Sequence, residues 1–217
     1  MSLTLIIANK AYSSWSFRPW ILMRQFEIPF DEIVVPMGRE MTRAEMLEHA
    51  PTGKCPSLHD GAINVWDSLA IIEYLAESYP EKAIWPKDKA ARAHARSLCA
   101  EMHSGFMGLR QHLPMNMRRP VRKRELTPEA LADVARLESA WAYAREHFGQ
   151  AGPFLFGAFC AADAFFAPVV NRLHVYDVAV GVQTRAYMDL MMSLQAWKDW
   201  QAQADAESWR LQKYEEI

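Results

Sequence analysis

Apolar and polar positions alternate along this chain in two different rhythms, and the rhythm changes near residue 80. Leu3 to Ile7 is a short unbroken apolar run, the pattern of a strand buried on both faces. Phe30 to Val35 predicts a second strand, β-branched at its end. Between them Ile21, Leu22 and Phe26 fall at helical spacing, with Pro19 placed to occupy the first turn of the helix and Ile28-Pro29 to end it. Strand, helix and strand of these lengths predict a βαβ unit with parallel strands and a right-handed crossover. Thr42 to His49 predicts a short helix with Met46 and Leu47 facing inward. Asp60-Gly61 then marks a tight turn between the extended runs Ser57 to His59 and Ala62 to Trp66. Asp67-Ser68 opens a helix carrying Leu69, Ile72, Leu75 and Tyr79 on one side and Glu73 and Glu77 on the other, as a helix lying on a sheet would.

Beyond Pro80 and Pro86 the pattern is helical throughout. The expected organisation is an α/β domain over residues 1–80 (βαβ, α, ββ, α), a linker at 81–87 and an all-α domain over 88–217. Lys89 to about Leu113 reads as one long helix ended by Leu113-Pro114. Residues 118–125, RRPVRKRE, form a basic run that reads as a solvated connection or, alternatively, as an anion or nucleic-acid contact. Thr127-Pro128-Glu129 starts the next helix, with Leu131, Val134, Leu137, Trp141 and Ala144 at spacings of a buried face. Cys160 to Tyr176 is apolar nearly all round apart from Asp163, Asn171 and Arg172, which predicts the buried centre of the second domain. Two further helices are expected near Thr184 to Ser193 and Leu194 to Ala206.

Composition narrows the function classes. The chain has 217 residues, 51% hydrophobic and 23% charged, with a formal net charge of −2, so no concentrated positive surface argues for nucleic acid. No apolar run approaches the ~20 residues of a membrane span. The opening MSLTLIIANK lacks the basic region of a secretory signal. Three scattered cysteines, Cys55, Cys99 and Cys160, suit a reducing cytoplasm rather than a disulfide framework, and the seven histidines show no metal-ligand spacing.

Two runs carry a resemblance. Gly53-Lys54-Cys55-Pro56-Ser57-Leu58 is similar to the G-K-V-P-x-L run of cytosolic glutathione transferases, and Trp66-Asp67-Ser68-Leu69-Ala70-Ile71-Ile72-Glu73-Tyr74-Leu75 to their E-S-x-A-I-x-x-Y-L run. Ser13-Ser14-Trp15-Ser16-Phe17-Arg18 resembles the serine turn of the zeta class. The resemblance implies a thioredoxin-like first domain that binds glutathione, a helical second domain, a homodimer, and detoxifying conjugation of glutathione to a small electrophile, with no metal. It places the activating serine on Ser13, or on Ser14 if the alignment slips by one. It implies a cis Pro56, with the main chain of Cys55 paired to the cysteinyl peptide of glutathione and Lys54 at the glycine carboxylate. Asp67 and Ser68 are expected at the γ-glutamyl end, where a helix N-terminus favours an anion; on spacing alone they are an ordinary cap.

Two cysteines depart from the pattern. Cys55 stands where the family has valine, either as a small apolar residue or as a thiol able to form a mixed disulfide with the ligand. Cys160 replaces the hydroxyl of a S/T-x-x-D helix cap that keeps Asp163, which predicts a weaker cap. Tyr12, Trp15, His103, Met107 and Arg110 are expected to face the electrophile, together with Gln111 and Trp20, and Arg110 to steady a developing anion. A glutathione-dependent isomerase or reductase, or a non-catalytic binding module, remains an alternative on the same residues.

Overall fold

The computed structural model describes residues 2–217. Strand β1 (Leu3–Ile7) feeds helix α1 (Ser14–Gln25), which returns to β2 (Phe30–Val34), parallel to β1. Helix α2 (Thr42–His49) leads to the hairpin β3 (Ser57–Asp60) and β4 (Ile63–Val65), both antiparallel to their neighbours, in the sheet order β2-β1-β3-β4. Helix α3 (Ser68–Ser78) closes this half. β1 is an interior strand, flanked by β2 and β3, which accounts for its apolar run, whereas the edge strand β2 alternates partly buried and exposed residues.

After a single 3-10 turn at Pro80–Lys82 the chain is helical: α4 (Lys89–Ser104), α5 (Met107–His112), α6 (Pro128–Phe148), α7 (Ala161–Val175), α8 (Val182–Ser193), α9 (Gln195–Ala206) and α10 (Gln212–Glu215). The connection between the halves is firmly anchored. The Ala161 N–H donates to the Ile84 carbonyl at 2.9 Å, Trp85 Nε1 donates to Glu73 Oε2 at 3.1 Å, and Arg96 grips the same carboxylate through two bonds of 2.9 Å. Helix α7 is the core of the helical half; Phe165, Phe166, Val169, Val170 and Leu173 have no exposed surface.

Several expectations give way to tertiary structure. Helix α1 begins at Ser14 rather than at Pro19, because the Ser13 side chain caps it by accepting from the Ser16 N–H, and Pro19 lies inside the helix. This helix is buried on nearly every side, between the sheet, α3, α7 and α9, so Trp20 belongs to the core: it packs on Trp200 and donates through Nε1 to Glu32. The long helix from Lys89 is two helices, broken where Gly105 is extended and Phe106 takes a left-handed φ of 57°. Leu47 and Leu131 are exposed. Helix α10 carried no periodic signal.

The cap at Cys160 is closed on both sides: the thiol faces the Asp163 N–H, and the Cys160 N–H donates to Asp163 Oδ2 at 2.9 Å. Asp163 also accepts from the Leu155 N–H at 3.2 Å and from Tyr187 Oη at 3.0 Å. The basic run turns inward at its start rather than into solvent. Arg118 donates to the carbonyls of Glu207 and Trp209, each at 2.7 Å, and Arg119 to that of Val175 at 2.9 Å.

Candidate functional site

Two adjoining cavities lie where the sheet half meets the helical half, and Trp15, Lys54 and Cys55 line both. The smaller, about 470 Å³, is completed by Thr52, Pro56, Trp66 and Asp67. The larger, about 760 Å³, brings Tyr12, Ser13 and Ser14 together with His103, Met107, Arg110 and Gln111. Sequence reasoning missed its far wall, formed by Arg172 of α7 and by Lys213, Tyr214 and Ile217. No local pattern ties those positions to the serine turn.

The serine turn is fixed by its own hydroxyls. Ser13 Oγ donates to Ser16 Oγ at 2.8 Å, while Ser16 Oγ accepts from the Ala8 N–H at 3.1 Å and points at Cys55 Sγ, 3.8 Å away. Ser14, the first residue of α1, has no side-chain hydrogen bond to any described residue, and the N-terminal end of α1 faces the same space, with the Trp15 N–H left without an acceptor among the described residues while those of Ser14 and Ser16 are paired to the Tyr12 carbonyl and Ser13 Oγ. Burial pushes the Cys55 thiol up, only partly offset by Ser16 and Ser13. A thiol held protonated is a weak nucleophile.

Trp15 organises the junction of the cavities. The Arg18 guanidinium lies 4.3 Å from its ring centroid, that of Arg110 5.0 Å, and the His103 ring meets it edge-on at 4.9 Å. Arg110 is already engaged: its Nε donates to the Gly105 carbonyl at 2.9 Å and its Nη2 to that of Met102, so it caps the C-terminus of α4 across the break. Burial lowers its pKa.

At the smaller cavity Asp67 caps α3 by accepting from the Leu69 N–H at 3.0 Å, and its other oxygen faces His103. Ser68 lies underneath rather than on the cavity wall; it is fully buried, and its hydroxyl accepts from Arg18 Nη1 at 3.4 Å. Lys54 is exposed at the rim. The Cys55–Pro56 and Trp66–Asp67 peptide bonds are cis. Among the described residues no cluster of His, Cys, Asp and Glu is placed to hold a metal, and no helix is long and apolar enough to cross a membrane.

Comparison with known proteins agrees with this arrangement. Residues 12–78 match the glutathione S-transferase N-terminal domain and residues 119–202 the glutathione S-transferase C-terminal domain, in order and together over well more than half of the chain. The chain belongs to the glutathione S-transferase family. A probable maleylacetoacetate isomerase of Caenorhabditis elegans is 35% identical over 98 residues, which is 45% of this chain and 45% of that protein. Glutathione S-transferase GstB of Escherichia coli (strain K12) is 34% identical over 80 residues, 35% of this chain and 38% of that protein. The chain thus matches less than half the length of these relatives. Among solved structures, a glutathione transferase homolog from Burkholderia with bound glutathione superposes with a TM-score of 0.71 at 23% identity, covering 95% of this chain and all 100% of that one. A diazinon-metabolizing glutathione S-transferase from the silkworm Bombyx mori gives 0.73 at 18% identity, covering 94% and 97%. Both share the two-part fold.

Proposed function

We propose that this protein is a glutathione transferase in which glutathione lies along the smaller cavity and presents its sulfur to the serine turn, with the electrophile in the larger one. The observation that carries this reading is the junction itself: Cys55 and Trp15, in the first turn of α1, line both cavities, and the two serines beside them line the larger one. The Cys55 N–H and C=O make no hydrogen bond to any described residue and are suited to pair with the cysteinyl peptide. Asp67 has acceptor capacity left for the γ-glutamyl ammonium, and Lys54 suits the glycine carboxylate. Ser68, being covered, supports the helix N-terminus rather than touching the ligand.

A hydroxyl donor and a helix N-terminus both favour the thiolate. Lowering the thiol pKa from about 8.5 to about 6.5 raises the thiolate fraction at pH 7 about 25-fold. The accompanying loss of nucleophilicity returns roughly 8-fold, for a net gain near 3. Positioning of the two reactants must therefore supply most of the acceleration. Ser14 has its hydroxyl uncommitted, whereas Ser13 has to release Ser16 to donate to the sulfur.

The test is turnover of a panel of electrophiles by wild type, Ser13→Ala and Ser14→Ala, alongside glutathione affinity. Conjugation that falls in one serine variant with glutathione binding kept supports the reading. A wild type that binds glutathione and conjugates nothing in the panel sinks it. The homodimeric, cytoplasmic detoxifying role that accompanies this family resemblance is part of the same proposal; a monomer's elution volume at micromolar concentration would remove the dimer from it.

A further inference from the structure

Arg172 presents an electrostatic problem that the fold itself does not solve. It sits on the central helix α7, only 4% exposed, yet lines the larger cavity together with Ser13 and Ser14. One donor is satisfied, Nε to the Leu113 carbonyl at 2.9 Å, and that bond fixes the direction of the guanidinium. Nη1 is buried without any acceptor among the described residues. A buried charge is ordinarily paired, because an uncompensated one costs several kcal/mol.

No pair is in place. The cavity lining contains no aspartate or glutamate side chain, while it does contain Lys54, Arg110 and Lys213 besides Arg172. Ile217, also on the wall, has its main-chain oxygen accepting from Arg119 Nε at 3.3 Å. Arg110 spends its donors on carbonyls of Met102, His103 and Gly105. Arg172 is therefore the cation of this cavity with a donor uncommitted and a fixed orientation. Burial and repulsion from Arg110 lower its pKa to about 9, which still leaves it charged at neutral pH.

We infer that Arg172 is the anion-recognising residue of the electrophile's half of the site, and that the electrophile carries a carboxylate. This rests on the transferase reading only for which molecule occupies the larger cavity; the recognition itself is a binding event. A carboxylate in the cavity pairs with Arg172 through Nη2, which has no acceptor among the described residues and is not sealed off as Nη1 is, compensates the buried charge, and orients the rest of the electrophile toward the serine turn.

The experiment is calorimetric and needs no turnover. Protein saturated with S-methylglutathione, which cannot react, is titrated with 3-nitrobenzoate and with 3-nitrobenzamide, its uncharged counterpart. Wild type should bind the benzoate at least about tenfold more tightly, as expected for one charge-assisted hydrogen bond. Arg172→Gln, with an unchanged unfolding temperature as control, should bind the two alike. Equal affinity for the pair in wild type overturns the inference, and so does a preference that persists in Arg172→Gln, since Lys213 or Lys54 would then be its source. A tenfold loss of S-methylglutathione affinity in Arg172→Gln also overturns it, because the arginine would then belong to the tripeptide. If Arg172→Gln does not fold, Arg172→Lys is read the same way and should keep only part of the preference; a full preference counts against the assignment. Failure of wild type to bind S-methylglutathione would instead sink the transferase reading, and the benzoate pair would still decide Arg172 on the unliganded protein.

Discussion

His103 Nε2 stands 3.2 Å from Asp67 Oδ2, so the end of α4 and the start of α3 meet across the junction of the two cavities. Burial lowers the histidine pKa despite the facing carboxylate, which makes the contact a neutral imidazole N–H donating to an anion. Asp67 has two separable duties. Asp67→Ala should remove the cap and cost about 1 kcal/mol of stability. Asp67→Asn should keep the cap, leave the unfolding temperature nearly unchanged, and still weaken glutathione binding through loss of the charge. Thermal unfolding and a glutathione titration of both variants check this; an Asn variant with undiminished glutathione affinity would remove Asp67 from the γ-glutamyl site.

Asp163 governs stability in the acid range. Burial raises its pKa from 3.8 to about 6, against the pull of the bonds from Cys160, Leu155 and Tyr187. The folded state therefore holds a proton that the unfolded state has released. Its contribution is fully present below about pH 3.8 and declines as pH rises through about 6, by about 3 kcal/mol at most. The stability of wild type relative to Asp163→Asn, followed by urea unfolding, should fall between these pH values and level off above them. A flat difference would contradict the shift.

Arg110 is expected to matter for the α4–α5 break more than for chemistry. Arg110→Ala strips donors from the carbonyls of Met102, His103 and Gly105 and should cost about 1–2 kcal/mol. The preference between charged and uncharged electrophiles should survive. Loss of that preference with unchanged stability would return the anion-binding role to Arg110.

Gly108 sits where α5 presses on α6. A Cβ there would lie 2.7 Å from the main-chain carbon of Glu129 and 2.8 Å from its oxygen, with no flexible side-chain end able to yield. Gly108→Ala should destabilise by about 1–3 kcal/mol and displace Met107, Arg110 and Gln111, raising KM for the electrophile while leaving that for glutathione. Wild-type stability in this variant would show that α5 shifts freely.

The sheet half was legible from sequence because its signals are local: an unbroken apolar strand at β1, Asp60-Gly61 between β3 and β4, and Asp67 before α3. The start of α1 was not, because Pro19 resembles a first-turn proline and the Ser13 cap precedes an unusually buried helix. The break at Gly105 escaped because Phe106 adopts a left-handed φ that its side chain does not announce. Tyr12, Trp15, His103, Met107 and Arg110 reach one cavity, but Arg172 was read as a polar blemish on a buried helix. Its meaning depends on Leu113 and on the absence of an acid nearby, and neither is encoded within α7.

One wall of the larger cavity is made differently from the rest. Residues 212–217 reach it along the surface, tied by Tyr214 stacked on Tyr12 at 5.2 Å, by Glu215 at the Tyr12 hydroxyl, by Asn116 Nδ2 at 3.2 Å from the Tyr214 carbonyl and by Arg119 Nε at 3.3 Å from the Ile217 main-chain oxygen. Peeling this segment away breaks a ring stack and a few bonds without opening the core around α7, so it is the least expensive fluctuation that widens the cavity. Amide hydrogens of residues 212–216 should exchange orders of magnitude faster than those of α7. On the proposed reading, the electrophile's door and the room it enters belong to separate cooperative units, and traffic can be tuned without loosening the architecture.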